Sequence, residues 1–194
     1  MFFKRKQEFK PDKTGTSLLS KLYITPAQRK RILKWVLLTL CLVGICLVQD
    51  VIFSRITVYG ASTDLVATAI LMACILLPTE SSAVFSVTAA TLYFFSGMAA
   101  GPYVIIFLSG LGILANILRT GYLRKGFGST LICTSIALFL YEMLLFVTGA
   151  FLGHTTFNRF VIFCITAGIS IVAIPILYPT FSAITKLGGD SWKD

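Results

Sequence analysis

Glu142 sits in an apolar stretch beside Leu138, Phe139, Tyr141, Leu145 and Phe146. A charged carboxylate in hydrocarbon costs about 2.5–3.5 kcal/mol or more, so this group must be neutral, paired or reached by water. Four roles are open to it: a ligand contact, a proton step, a contact with a partner protein, or a protonated, hydrogen-bonded structural group. Asp50 and Asp64 flank Arg55, and paired carboxylates suit acid–base chemistry. The simpler reading makes Asp64 a helix N-cap and places Asp50 at a wet interface.

Other catalytic patterns are missing from the sequence. His154 is the sole histidine, and there is no His-Glu-x-x-His, no Gly-x-Ser-x-Gly and no glycine-rich phosphate loop with a lysine. Ser96-Gly97 and Ser109-Gly110 lack the glycine two positions before the serine that an intramembrane serine protease would carry. No catalytic residue is assigned, and an enzyme is not expected. Cys41, Cys46, Cys74, Cys133 and Cys164 lie in apolar stretches, lack Cys-x-x-Cys spacing and are odd in number. They read as packing residues, with no disulfide, metal or other cofactor implied.

The elements that position these groups follow from hydropathy. A bilayer core about 30 Å thick needs roughly 20 apolar helical residues to cross it. Six segments of this chain of 194 residues meet that pattern: 33–53, 64–77, 81–98, 102–118, 129–152 and 159–185. The second is short and should draw on its flanks. The fold class expected is therefore an all-α integral membrane bundle of six transmembrane helices. Its parts are a basic tail 1–31, a membrane domain 32–187 and a tail 188–194, with no room for a soluble domain. The basic region is too long, and small-x-small cleavage residues too absent, for a signal peptide.

With six crossings, fifteen of the seventeen Lys and Arg residues fall on one side. Ten lie before or at the start of the first span. Arg119, Arg124 and Lys125 follow the fourth span, and Lys186 and Lys193 follow the last. Only Arg55 and Arg159 lie opposite, so both termini should be cytoplasmic. The net charge of +9 points to anionic lipid headgroups as partners of the N-terminal tail, at about 1 kcal/mol per basic residue, and not to nucleic acid.

Local signals refine this picture. Thr25-Pro26-Ala27-Gln28 reads as a capping box, so the first helix should start in the cytoplasm, with Trp35 at the inner interface. Caps are expected at Ser62-Thr63-Asp64, Thr79-Glu80, Gly101-Pro102, Gly128-Ser129 and Thr156 or Asn158. Pro175 and Pro179 should bend the last span. Small-residue stripes run through Ser82, Ser86 and Ala90, through Ala69 and Ala73, and through Cys164 and Gly168, suited to close helix packing or a partner. At about 1.5 Å per residue, Glu142 and Tyr93 reach similar depths, about 20 and 18 Å from the inner ends of their spans, whereas Asn116 lies about two turns away. A Tyr93–Glu142 hydrogen bond is thus geometrically allowed, and Glu142 should face the bundle interior or a partner. The candidate functional polar residues are Glu142, Tyr93, Asp50 and Asp64.

The stretch 49–65 carries Gln49, Gly60, Asp64 and Leu65 in an arrangement that resembles the opening of the rod-shape-determining MreD family, with Thr63 where that family usually has proline. Ser96-Gly97 followed by Gly101 is similar to the family's Asp-Leu-Leu-Ser-Gly motif, with Tyr93 in place of its aspartate, and Ile174-Pro175-Ile176-Leu177-Tyr178-Pro179 resembles its last helix. The resemblance spans about residues 33–187. It implies a non-enzymatic scaffold in the bacterial plasma (inner) membrane, acting in cell-shape determination with MreC. The implied machinery for lateral peptidoglycan synthesis includes the MreB filament, a shape-and-elongation polymerase and a class B penicillin-binding transpeptidase. Glu142, at similar depth, stands in for the missing aspartate in this reading.

The alternative is the substrate-binding membrane subunit of an energy-coupling vitamin transporter, an architecture the MreD family resembles. That function requires polar and aromatic side chains converging on a pocket near the outer face. A channel would need a ring of polar groups that the spans lack.

Overall fold

The computed structural model describes residues 26–57, 59–123 and 126–187. The N-terminal tail through Thr25, the C-terminal tail 188–194, and Arg124 and Lys125 lie outside the described residues. So do most of the basic residues behind the expected lipid contact, and the first residue of the capping box.

Among the described residues six helices follow in order: α1 (Pro26–Val48), continued by a π-helical turn (Gln49–Phe53), α2 (Leu65–Leu76), α3 (Thr79–Phe95), α4 (Tyr103–Tyr122), α5 (Phe127–Phe151) and α6 (Phe160–Lys186), the last preceded by a 3₁₀ turn (Phe157–Arg159). The described residues contain no β-strand. Each expected span corresponds to one helix. Four helical segments are long and apolar enough to cross a membrane: Gln28–Phe53, Tyr103–Tyr122, Phe127–Phe151 and Phe157–Lys186. The helices α2 and α3 are shorter, at 12 and 17 residues, about 18 and 26 Å at 1.5 Å per residue. Rather than lengthening into its flanks, α2 stops short.

The position of α2 explains its composition. A helix apolar around its whole circumference belongs inside a bundle, and every residue of α2 from Leu65 to Ile75 is buried. It touches each of the other five helices. Its small residues admit them closely: Ala67, Ala69 and Ala73 are fully covered, as are Ser82, Ser86 and Ala90 on α3. These two stripes serve internal packing. The third stripe does not, because Gly168 is exposed and nothing lies within 4 Å of where its Cβ would stand.

The helices α2 and α4 approach closely at Gly112. A Cβ there would stand 3.1 Å from Cys74 Sγ and 3.3 Å from Cys74 Cβ. Gly112→Leu should therefore force the helices apart and lower stability by about 1–3 kcal/mol, the usual cost of overpacking, with Gly112→Ala costing less. The midpoint of thermal unfolding in nanodiscs measures both.

The peripheral faces are apolar where they meet no protein. Leu40 and Leu47 along α1, Val51 on the π-helical turn that continues it and Ile176 on α6 are each at least 60% exposed, as lipid-facing side chains are. Trp35 is half-buried at the expected inner end, its ring 6.3 Å from Phe85. Pro175 and Pro179 both lie within α6, which stays helical through them.

Chain breaks differ in mechanism from the expected caps. Of the starts of α2 to α6, only α2 has a side-chain N-cap, from Asp64. The fifth helix begins at Phe127, behind Gly126, slightly ahead of Gly128-Ser129. The reversal after α3 instead uses Gly97 at φ +77°, a left-handed conformation that costs glycine little.

Candidate functional site: two buried carboxylates at one end of the bundle

A helix that stops inside an apolar bundle leaves its first N–H and last C=O groups without partners, at several kcal/mol each where water is absent. Both ends of α2 are met by side chains distant in sequence. At its N-terminus, Asp64 Oδ1 accepts from the Ala67 N–H at 3.0 Å and Gln49 Oε1 accepts from the Val66 N–H at 2.8 Å. The Asp64 N–H donates to Ser170 Oγ of α6 at 2.9 Å, and Thr68 Oγ1 donates to the Asp64 carbonyl at 2.7 Å.

At the opposite end, Pro78 has no N–H to give the Cys74 carbonyl. Asn116 Nδ2 of α4 supplies it, donating to Cys74 O at 2.6 Å and Leu77 O at 2.8 Å. The Arg119 guanidinium donates to Ile75 O. Asn116 therefore has a structural role at the C-terminal end of α2, and Arg119, in the sequence only an inside-positive charge, closes that helix.

The N-terminal end of α2 opens onto a cavity of about 260 Å³. Gln49, the loop 60–64, Tyr93, Met98 and Ala100 line one part of it, and Tyr141, Glu142 and Leu145 of α5 with Ile162, Phe163 and Thr166 of α6 line the rest. Glu142 is 3% exposed and faces this interior space, as expected. Tyr93, also buried, donates from its hydroxyl to Asp64 Oδ2 at 3.1 Å. The Tyr93–Glu142 hydrogen bond allowed by depth is not made, because Asp64 takes the phenol. Asp50 is exposed and lies outside the cavity; its carbonyl accepts from Ser54 Oγ. Of the four candidates, the structure brings Asp64, Tyr93 and Glu142 together and leaves Asp50 apart. His154 is exposed in the turn after α5.

No family model, curated protein or solved structure matches this chain.

The residues of the motif resemblance nonetheless have distinct local tasks around this cavity. Gln49 and Asp64 cap α2. Gly60 adopts φ +80° and lines the cavity wall. Ser96 Oγ donates to the Tyr93 carbonyl at 2.7 Å, closing α3 one residue before the left-handed Gly97. The Tyr93 hydroxyl donates to the carboxylate of Asp64.

Sequence reasoning missed Tyr141, Ser170 and the donor role of Asn116. Ser170 and Asn116 did offer a signal, as polar residues within apolar helices that need partners there. What was missing was which distant backbone group each would meet.

Proposed function

We propose that this protein is a non-enzymatic scaffold of the bacterial cell-elongation machinery in the plasma (inner) membrane, crossing it six times with both termini cytoplasmic. In this reading it works in cell-shape determination and lateral peptidoglycan synthesis with an MreC-like membrane protein. The MreB filament, the shape-and-elongation polymerase and the class B penicillin-binding transpeptidase complete the assembly, and the basic N-terminal tail holds anionic lipid. The observation that carries the reading is the convergence of Gln49, Gly60, Asp64 and Tyr93, separated by up to 44 positions in sequence, on one end of α2. Three of these residues, Gln49, Gly60 and Asp64, belong to the motif resemblance, and Tyr93 stands where the family has its aspartate. The described residues form helices and short connections, so helix faces and loops are what such a scaffold offers its partners.

The cavity at that junction favours a second reading, the substrate-binding membrane subunit of an energy-coupling vitamin transporter, since polar and aromatic groups do converge there. A pull-down of the tagged protein from native membranes in mild detergent or nanodiscs, read by mass spectrometry, separates the two. The scaffold reading expects an MreC-like protein with cell-wall synthases. Recovery of ATP-binding-cassette ATPases with a coupling membrane subunit would overturn it.

A further inference from the structure

The cavity beside α2 holds two carboxylates, Asp64 and Glu142, and among the described residues no Lys, Arg or His lines it. The two acids are not equivalent. Asp64 is held by the Ala67 N–H and the Tyr93 hydroxyl and lies at the N-terminus of α2, where the helix dipole favours negative charge. Glu142 has none of this. It is 3% exposed, its side chain is turned into the cavity, and among the described residues it accepts no hydrogen bond and joins no ion pair. A buried carboxylate without a protein partner, facing a space that already contains a second carboxylate, must take up either a proton or a cation.

The dimensions and the walls select the kind of cation. A space of about 260 Å³ is far more than a bare metal ion fills. The described residues offer no group of three His, Cys, Asp or Glu side chains able to hold a metal, whereas hard divalent cations take six or more oxygen ligands. Tyr93, Tyr141 and Phe163 instead line it with aromatic side chains, a residue type that attracts organic cations, and Gln49 adds an amide. Ser62 and Ala100 on the rim are exposed, so the space communicates with the surface. We propose that this cavity binds a small organic ammonium ion, its charge between Glu142 and Asp64 and its apolar part against the aromatic wall. This site is independent of the scaffold reading and needs no partner protein.

The test uses the purified full chain in nanodiscs, titrated with phenethylammonium and, separately, with neutral phenethyl alcohol of the same shape, following the unfolding midpoint and ligand-observed NMR. Saturable binding of phenethylammonium at least tenfold tighter than the alcohol is expected. Glu142→Gln should weaken the ammonium at least tenfold and leave the alcohol unchanged, while Glu142→Asp, which keeps the charge, should retain most of the preference. Equal responses to the two probes in the wild-type protein, or no response to either, would overturn the proposal without reference to any variant, and the cavity would then hold only water or a proton. An unchanged ammonium affinity in a folded Glu142→Gln protein would overturn it equally.

Discussion

Asn116→Leu is expected to lower the stability of the membrane-embedded protein by about 2–4 kcal/mol, although leucine is apolar, of similar size and better suited to lipid. The side chain of Asn116 is fully buried and its amide donates to Cys74 O and Leu77 O. Cys74 O cannot be served from within the chain's own helix, because the residue four positions on is Pro78. Removing the amide therefore orphans two carbonyls, and each buried unsatisfied group costs about 1–3 kcal/mol. The gain in apolar burial offsets part of this, at roughly 25 cal/mol per Å² over a small area. Asn116→Asp should be worse than leucine, since a carboxylate at the same place turns acceptors toward carbonyl oxygens. Unfolding midpoints of the three proteins in nanodiscs of one lipid composition provide the measurement. A leucine variant as stable as the wild type would mean that water, rather than Asn116, satisfies the end of α2.

How much of this was legible beforehand depends on the range of the interaction. Apolar run length and the turn residues between runs located every helix of the described residues, since both are local properties. The same run-length argument flagged 64–77 as too short, but could not say that α2 would solve its shortness with side chains from elsewhere. Ser170 meets Asp64 across 106 positions and Asn116 meets Cys74 across 42; nothing in one sequence pairs them. Depth counting correctly separated Asn116 from Glu142 and put Tyr93 near Glu142, yet depth fixes one coordinate only. Which way a side chain points around its helix axis decided that Tyr93 reaches Asp64. For Asp64 the N-cap reading was local, and the cap is present in the structure.

Asp64→Ala should be comparably costly, about 2–4 kcal/mol, and its comparison with Asp64→Asn should reveal whether the site needs an acceptor or a charge. Alanine removes the cap on Ala67, worth about 0.5–2 kcal/mol, and leaves the buried Tyr93 hydroxyl without its acceptor, at about 1–3 kcal/mol. Against this stands the relief of no longer burying a carboxylate close to Glu142, a term that can favour neutral replacements. Asparagine separates the contributions. Its carbonyl can cap Ala67 as Asp64 Oδ1 does, and its amide can donate to the Tyr93 oxygen, so hydrogen bonding persists while the charge is lost. We expect Asp64→Asn to lie within about 1 kcal/mol of the wild type, on either side, because acceptor geometry rather than charge closes α2. Tyr93→Phe combined with each variant completes a double-mutant cycle. Coupling between Tyr93 and Asp64 should be evident in the wild-type background and absent once alanine occupies position 64. If Asp64→Asn proves as damaging as Asp64→Ala, the negative charge itself is required at this junction, and the cation-accepting character of the cavity would extend to the folding of the bundle.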